Sequence, residues 1–148
     1  MNVTVREAAE GDFFGWLPLF ETHCANRGGR LDDAKALIVW SWAQDPAHAL
    51  RAGLAVDGAG APVGLVHFHV EPRTIDASIA LVIDDLYVQE GAQGTGVEDL
   101  LLAYVRESAT GAHATRIVWS HAPDEADALS SAEAGARRRD AVVFEADL

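Results

Sequence analysis

The sequence predicts one α/β domain spanning residues 1–148. A length of 148 residues matches that of a single domain. Hydrophobic residues make up 49% of the chain and the mean hydropathy is +0.05, so the chain has enough apolar surface to form a core and is not disordered. Stretches of strand-like alternation are interspersed with stretches of helical spacing, which indicates a sheet packed against helices.

A strand and two helices are predicted first. Apolar and polar residues alternate over residues 3–6, as in a short strand. Asp12 is a typical N-cap residue, and apolar residues at helical spacing follow it. Pro18 removes a backbone donor, so this segment is predicted as a kinked helix or as two pieces. Acidic residues at 32 and 33 favour the start of the next helix, which ends before Asp45-Pro46.

Three strands are predicted in the middle of the chain. Residues 50–56 and 62–71 flank Asp57-Gly58-Ala59-Gly60, and an Asp-Gly step between apolar runs is typical of a hairpin, because glycine supplies the positive φ of the turn. Residues 79–88 form the next strand. Its first half is apolar on both faces, which predicts a central strand that is covered on two sides.

The last third of the chain begins with a glycine-rich loop over residues 89–96. From Val97 onward, apolar residues recur at i, i+3, i+4, i+7 and i+8, and this spacing predicts an amphipathic helix. A short strand over residues 116–120, an alanine-rich helix over residues 125–135 and a final strand over residues 141–147 complete the prediction.

Charge and cysteine content narrow the classes of partner. The chain carries 23 acidic and 11 basic residues, a formal net charge of -12. Nucleic acids and anionic membranes are bound through basic residues, so neither is expected as a partner, and cationic or neutral small molecules remain. Cys24 stands alone, which excludes an internal disulfide and a cysteine-cluster metal site. With no secretory leader and no long apolar run, we expect a cytoplasmic protein.

The segment that carries chemistry is a strand, a glycine loop and a helix start over residues 85–97. Backbone N–H groups at a helix N-terminus bind anions, and glycines let a diphosphate approach them closely. The loop lacks the glycine spacing of dinucleotide-binding motifs and the Gly-Lys-Ser/Thr of nucleoside-triphosphate loops. Gln93, Gly96 and Val97 instead fit, in register, a Gln/Arg-x-x-Gly-x-Gly/Ala loop, and the chain thereby resembles the GNAT (GCN5-related N-acetyltransferase) superfamily.

The resemblance extends to the order of elements along nearly the whole chain. It also includes Asp84-Asp85-Leu86-Tyr87-Val88 and Val118-Trp119, which resemble a subgroup of small bacterial members. It implies a GNAT-like acyl-CoA N-acyltransferase fold, with a mixed, mostly antiparallel central sheet flanked by helices. The implied activity is acetyl transfer from acetyl-CoA to a small amine.

The resemblance also implies which residues act. Asp84 or Asp85 would take the proton of the substrate amine. Main-chain groups of Leu86 and Val88 would hold the thioester carbonyl and the pantetheine. The diphosphate would bind to the loop and helix start, at Gln93, Gly94, Thr95, Gly96 and Val97. A homodimer is left open.

Two positions depart from the family pattern. Glu98 replaces the final glycine or alanine of the loop, and its carboxylate would repel a diphosphate at the helix start. Glu98 either turns into the loop and caps the free N–H groups itself, or points to solvent as an ordinary acid of a first helical turn. Ala132 stands where the resembling subgroup has a tyrosine that acts as general acid. A degenerate binding, sequestering or partner protein, or one repurposed for different chemistry, is therefore the alternative to a working acetyltransferase.

Two further histidines are candidates for chemistry. His67 and His69 lie at i and i+2, on one face of a strand, where they could shuttle protons or join different chemistry in the same cleft. No third ligand is evident, so no metal site is expected. Asp84 and Asp85 are neighbours in a strand, which predicts that they face opposite sides. His23 and Cys24 diverge by about 100° on a helix and are not expected to form a nucleophile pair.

Overall fold

A computed structural model describes residues 2–121 and 135–148. The helices and strands of this part, in chain order, are β1 (Thr4–Glu7), α1 (Phe13–Asn26), α2 (Asp33–Gln44), β2 (Leu50–Val56), β3 (Pro62–Arg73), β4 (Ser78–Val88), α3 (Val97–Gly111) and β5 (Arg116–Val118). Short 3-10 turns precede α1 and α3, at Glu10–Asp12 and Glu90–Ala92. No helix among these residues is long and apolar enough to cross a membrane.

The five strands form one sheet in the order β1-β2-β3-β4-β5. The first three pairings are antiparallel, and β5 lies parallel to β4. A mixed, mostly antiparallel sheet is thereby confirmed. The parallel pairing is short, because only Ala80–Val82 of β4 pair with β5.

Helices cover both faces of the sheet. Trp16 of α1 and Trp40 of α2 pack with Leu54 and Leu65 on one face. On the other face, the α3 stripe that begins at Val97 packs against the side chains of β3 and β4. The helical spacing from Val97 therefore predicted α3 correctly, since buried α3 residues recur at three- and four-residue steps: Val97, Leu101, Leu102 and Val105.

The sheet contains a bulge that affects the site. His67 of β3 pairs with Asp85 of β4, but the next β3 residue, Phe68, pairs with Ile83, so Asp84 is an extra residue in β4. Ile83 belongs to the core on the α3 side, whereas Asp85, two residues later, bonds a side chain of α1 on the opposite face. In a regular strand these two residues would share a face, so the bulge reverses the alternation after Asp84.

The start of α1 differs from the prediction at two points. Phe13–Asn26 is one helix that contains Pro18, so the segment is not divided. Packing of the apolar face of α1 against the sheet outweighs the missing backbone hydrogen bond. Asp12 does not cap α1, because its carboxylate accepts hydrogen bonds from Arg6 and from the N–H of Ala9. Asp32, by contrast, caps α2 by accepting from the N–H of Lys35 at 2.8 Å.

The predicted final strand is wrong. Residues 141–147 form no strand, and Val142, Val143 and Phe144 are 79–90% exposed. Valine and phenylalanine favour strands, but a strand also needs a neighbour to pair with, and this segment has none among the described residues. The strand predicted over residues 116–120 is confirmed over Arg116–Val118. Nearly all of the helix predicted over residues 125–135 lies outside the described residues.

Candidate active site

The N-terminus of α3 is uncapped and open to a ligand. Gly94 and Gly96 have φ angles of 71° and 90°, and no atom lies within 4 Å of where a Cβ would stand on either of them. No side chain caps α3. The first N–H groups of a helix have no partner within the helix, so in α3 they are left for an anion.

Two predicted cofactor-binding side chains hold this loop in place. The Gln93 side-chain amide donates to the carbonyl of Val88 at 2.9 Å, and the Thr95 hydroxyl donates to the carbonyl of Ala92 at 2.6 Å. Both side chains therefore shape the loop backbone. The groups left to contact an anion are the N–H groups of the loop and of the first helical turn, from Gly94 to Glu98.

Glu98 does not cap the loop. Its side chain is half-buried and makes no hydrogen bond to any described residue. Side chains that cap a helix come from the N-cap position or reach back from the third helical residue. Glu98 is the second residue of α3, which begins at Val97. Of the two alternatives for Glu98, self-capping of the loop is therefore wrong, and Glu98 is an acid of the first helical turn.

The edge of β4 beside this loop is also open. Pairing with β5 ends at Val82, so residues 83–88 have no strand partner on that side in the part of the chain that the structure describes. This stretch contains Leu86 and Val88, the two predicted backbone contacts for a thioester and pantetheine. An extended ligand can bond to such an edge as an added strand does.

A buried network links α1 to the sheet. The indole N–H of Trp16 donates to Nε2 of His67 at 3.0 Å, and Nδ1 of His67 lies 2.9 Å from Oδ2 of Asp85. Because an indole can only donate, Nε2 of His67 must accept, and its proton must be on Nδ1. His67 is thus held as one neutral tautomer that donates to Asp85, and neither ring nitrogen is left for a ligand.

The second oxygen of Asp85 bonds His23 of α1. Nε2 of His23 lies 2.9 Å from Oδ1 of Asp85. Burial raises the pKa of Asp85, but the hydrogen bonds from His23 and His67 outweigh it and hold this pKa well below its usual value. Asp85 is therefore an ionised acceptor, and Nε2 of His23 donates to it.

His23 is only 6% exposed, but the surface of its other nitrogen, Nδ1, is not fully covered. It has no hydrogen-bond partner among the described residues. Within that part of the chain, the only buried side-chain nitrogen or oxygen that lacks a partner is Nε of Arg73, so Nδ1 of His23 is not a buried atom. A neutral His23 that donates from Nε2 has a lone pair on Nδ1. Asp85 and His23 thus have the geometry of an acid-backed histidine base.

A cavity of about 590 Å³ lies at this dyad, which falls in the size range of small-molecule sites. It is lined by residues of α1, of α2 and of the loop between them, together with Asp85: Phe20, His23, Cys24, Arg27, Gly29, Arg30, Leu31, Lys35, Ile38, Val39 and Trp42. Burial and then the charge of Asp85 raise the pKa of Cys24, which favours the thiol over the thiolate. His23 and Cys24 both line the cavity without a hydrogen bond between them.

Asp84 and His69 form a separate pair. Nδ1 of His69 lies 2.8 Å from Asp84 and its Nε2 lies 3.4 Å from Glu71. Burial lowers the pKa of His69, but Asp84 and then Glu71 outweigh it and raise this pKa. No group of three or more potential ligands is placed to hold a metal ion within the described residues.

The bulge decides how the two acids of β4 are oriented. His67 and His69 share a face of β3, as predicted, and each bonds one of the two acids. The prediction that Asp84 and Asp85 face opposite sides is therefore wrong. Alternation fails at this step because Asp84 is the extra residue.

The sequence matches a model of the acetyltransferase (GNAT) family over residues 15–134. The chain belongs to the GNAT family. Among curated proteins, no sequence matches it significantly.

Solved structures include GNAT neighbours with the same fold. One is ribosomal-protein-alanine N-acetyltransferase from Brucella melitensis biovar Abortus 2308, with a TM-score of 0.80, 20% identity and coverage of 99% of this chain and 100% of that chain. Another is the aminoglycoside N-acetyltransferase AAC(6')-Iy in complex with CoA, with a TM-score of 0.82, 17% identity and coverage of 99% and 95%. A Trypanosoma brucei acetyltransferase has a TM-score of 0.75, 15% identity and coverage of 99% and 100%. At these identities the likeness shows the fold alone.

In this GNAT protein, sequence reasoning missed two members of the site, His23 and Trp16. His23 continues the buried face of α1 that includes Trp16 and Phe20, at helical spacing. A histidine within an apolar stripe needs a polar partner, so the position of His23 on this face indicates a buried hydrogen bond. The partner itself, Asp85, lies 62 residues further along the chain.

Proposed function

We propose that this GNAT protein transfers the acetyl group of acetyl-CoA to the amine of a small molecule held in the cavity between α1 and α2. The observation that carries the proposal is the Asp85–His23 dyad, which lines that cavity. It supplies a base where an amine must lose a proton, and Asp85 lies within the open edge of β4.

The residues present fit acetyl-CoA at two places. The uncapped start of α3 and the two positive-φ glycines suit the diphosphate. The open edge of β4 at Leu86 and Val88 suits an extended pantetheine. Glu98 opposes the diphosphate by its charge but leaves the N–H groups free, so it weakens this fit without blocking it.

The dyad performs the proton transfer. Acetyl-CoA, when bound, supplies a thioester whose leaving group is a thiolate. Nδ1 of His23 accepts the proton that the amine nitrogen releases as it becomes acetylated. Asp85 holds the imidazole through Nε2–H and stabilises the positive charge that develops on it, a role that carries a typical factor of about 10² to 10⁴ in rate.

The remaining predicted residues are assigned differently. His67 is a positioning residue, because it holds Oδ2 of Asp85 while Oδ1 faces His23. Asp84 and His69 bond each other, do not line the cavity, and take no part in this proton transfer.

The full-length chain tests the proposal in two steps. Calorimetric titration should give micromolar binding of acetyl-CoA, and a panel of amines should then show release of free CoA together with an acetylated product by mass spectrometry. No binding at millimolar acetyl-CoA would overturn the proposal. Binding without transfer to any amine would favour the alternative of a degenerate binding protein.

A matched pair of glycine variants tests where the cofactor binds. Gly96→Ala places a Cβ on a residue with φ of 90° at the anion site, so we expect at least a tenfold loss of acetyl-CoA affinity. Gly91→Ala lies in the same loop, at an ordinary φ and with no atom within 4 Å, and should bind as the wild type does. Equal affinities of the two variants would place the diphosphate elsewhere.

A further inference from the structure

We propose that the acceptor amine carries an apolar body and a carboxylate close to the amine, as in an apolar amino acid. This inference rests on the proposed acetyl transfer and names the substrate class for the same cavity. The composition of the chain favours cationic ligands, but the cavity has the opposite character.

The charge of the cavity is reversed relative to the chain. Acidic residues outnumber basic ones by 23 to 11 in the whole sequence. The cavity is lined by three basic residues, Arg27, Arg30 and Lys35, and by one acidic residue, Asp85. Both oxygens of Asp85 already bond histidines, so this carboxylate is not free to bind a ligand cation.

The arginines of the cavity are available to a ligand. Arg27 and Arg30 are exposed and form no ion pair or side-chain hydrogen bond with any described residue. Lys35 has only a loose pairing with Asp32, at 3.8 Å. A guanidinium group binds a carboxylate through two parallel hydrogen bonds, which makes a carboxylate the natural partner here.

The spacing on α1 suits an amino acid. Arg27 is the C-cap residue of α1, and its N–H donates to the carbonyl of His23 at 3.2 Å, so the two residues lie about one helical turn apart, with Cβ atoms roughly 6 Å apart. The flexible side chain of Arg27 can therefore reach a carboxylate that lies close to an amine at Nδ1 of His23, as in an α-amino acid. A diamine would place its second positive charge against these arginines, and a long linker would overshoot Arg27.

The opposite wall of the cavity is apolar. Ile38 and Trp42 of α2 are 49% and 43% exposed although they are large hydrophobic residues, and both line the cavity. They lie four residues apart, so they form one apolar surface across from α1. An apolar side chain placed against this surface would remove them from water and provide binding free energy.

Acceptors that share one apolar side chain but differ in the carboxylate test whether the carboxylate is recognised. The assay measures kcat/KM at saturating acetyl-CoA for phenylalanine, phenylalaninamide and phenethylamine. The corresponding leucine and tryptophan series are tested in the same way. We expect the amino acid to exceed its amide and its decarboxylated amine at least tenfold in one or more series. The α-amine of an amino acid amide is less basic than that of the amino acid, so more of it is neutral and reactive at pH 7. This difference favours the amide, so a preference for the amino acid would arise in spite of it.

Two arginine variants test whether Arg27 causes the preference for a carboxylate. Arg27→Gln should reduce the ratio of amino acid to amide by at least fivefold while the acetyl-CoA dissociation constant stays within twofold. Arg106→Gln removes an exposed arginine from α3, on the other face of the sheet, and should leave both quantities unchanged. A binding readout without turnover is the dissociation constant of the N-acetylamino acid against that of its amide, which should differ in the same direction.

The outcomes separate this inference from the proposed function. Acetylation of amines without any preference for a carboxylate would overturn the inference and leave acetyl transfer standing. Loss of acetyl-CoA affinity in Arg27→Gln would also overturn it, because the arginine would then serve the cofactor. Absence of acetyl-CoA binding in the wild type would instead overturn the proposed function.

Discussion

Asp85→Asn is expected to leave the fold intact and to disable the base by moving one proton. Nε2 of His67 must accept from Trp16, so Nδ1–H of His67 keeps donating and requires the carbonyl oxygen of Asn at position 85. The amide NH₂ must then face Nε2 of His23. That nitrogen becomes an acceptor, and the proton of His23 moves to Nδ1, the atom that has no hydrogen-bond partner among the described residues.

The size of each effect follows from the bonds involved. Two charge-assisted hydrogen bonds become neutral ones, which lowers each from about 1.5–3 to about 0.5–1.5 kcal/mol. Relief of a buried charge offsets part of this loss, so we expect a destabilisation of about 1–2 kcal/mol, small against the roughly 5–15 kcal/mol of a typical domain. Loss of the base should lower kcat about 10²- to 10⁴-fold, which corresponds to roughly 3–5 kcal/mol in the barrier.

The assay combines turnover with a direct observation of the tautomer. Two-bond ¹H–¹⁵N spectra should place the proton of His23 on Nε2 in the wild type and on Nδ1 in the variant, with His67 unchanged. Asp12→Asn is the matched control, because Asp12 also bonds two groups but lies about 17 Å from His23 along α1. A kcat within threefold of the wild type in a folded Asp85→Asn protein would refute the role of the dyad.

Three further outcomes are expected. The lowered pKa of Asp85 adds stability above the unfolded-state pKa of about 3.9, and this stability is lost as the pH falls toward the folded-state pKa. Below pH 4, the free energy of unfolding measured with urea should therefore fall more steeply with pH in the wild type than in Asp85→Asn. Glu98→Gln should tighten acetyl-CoA binding about three- to tenfold by calorimetry, whereas Glu107→Gln further along α3 should not. Gly53→Ala should lower the free energy of unfolding by about 1–3 kcal/mol, because its Cβ would lie 2.7 Å from a Tyr104 ring carbon.

Each of these outcomes can fail in a specific way. Parallel acid profiles of the wild type and Asp85→Asn would mean that the hydrogen bonds of this carboxylate add no stability. Unchanged affinity in Glu98→Gln would place the diphosphate away from that side chain. A Gly53→Ala protein of unchanged stability would mean that α3 shifts freely away from β2.

Periodicity predicted most of the fold because it reports which faces are buried. The strand over residues 50–56 and the start of α3 at Val97 have the expected bounds. Predictions failed where the outcome depends on a distant partner. Asp12 has the side chain of a helix cap, but Arg6 engages it. Residues 141–147 have the composition of a strand but no neighbouring strand among the described residues.

The same distinction separates the two halves of the candidate site. The candidate anion site is contiguous in sequence, so Gln93 and Gly96 could be matched to the loop motif of the family. The dyad joins side chains that are 62 residues apart, and no local pattern connects them. The bulge at Asp84 was equally hidden, because the identity of a residue does not show which strand residue is left unpaired.

The extra residue in β4 places two consecutive acids on the same face of the sheet. Deleting Asp84 would remove the bulge and leave Asp85 directly after Ile83, so regular alternation would keep this carboxylate on the α1 face, opposite Ile83. A relative that lacks the extra residue therefore places an acid on the same face when that acid directly follows the residue aligned with Ile83. Comparisons within this family should count strand residues up to the acid as well as compare the acid itself.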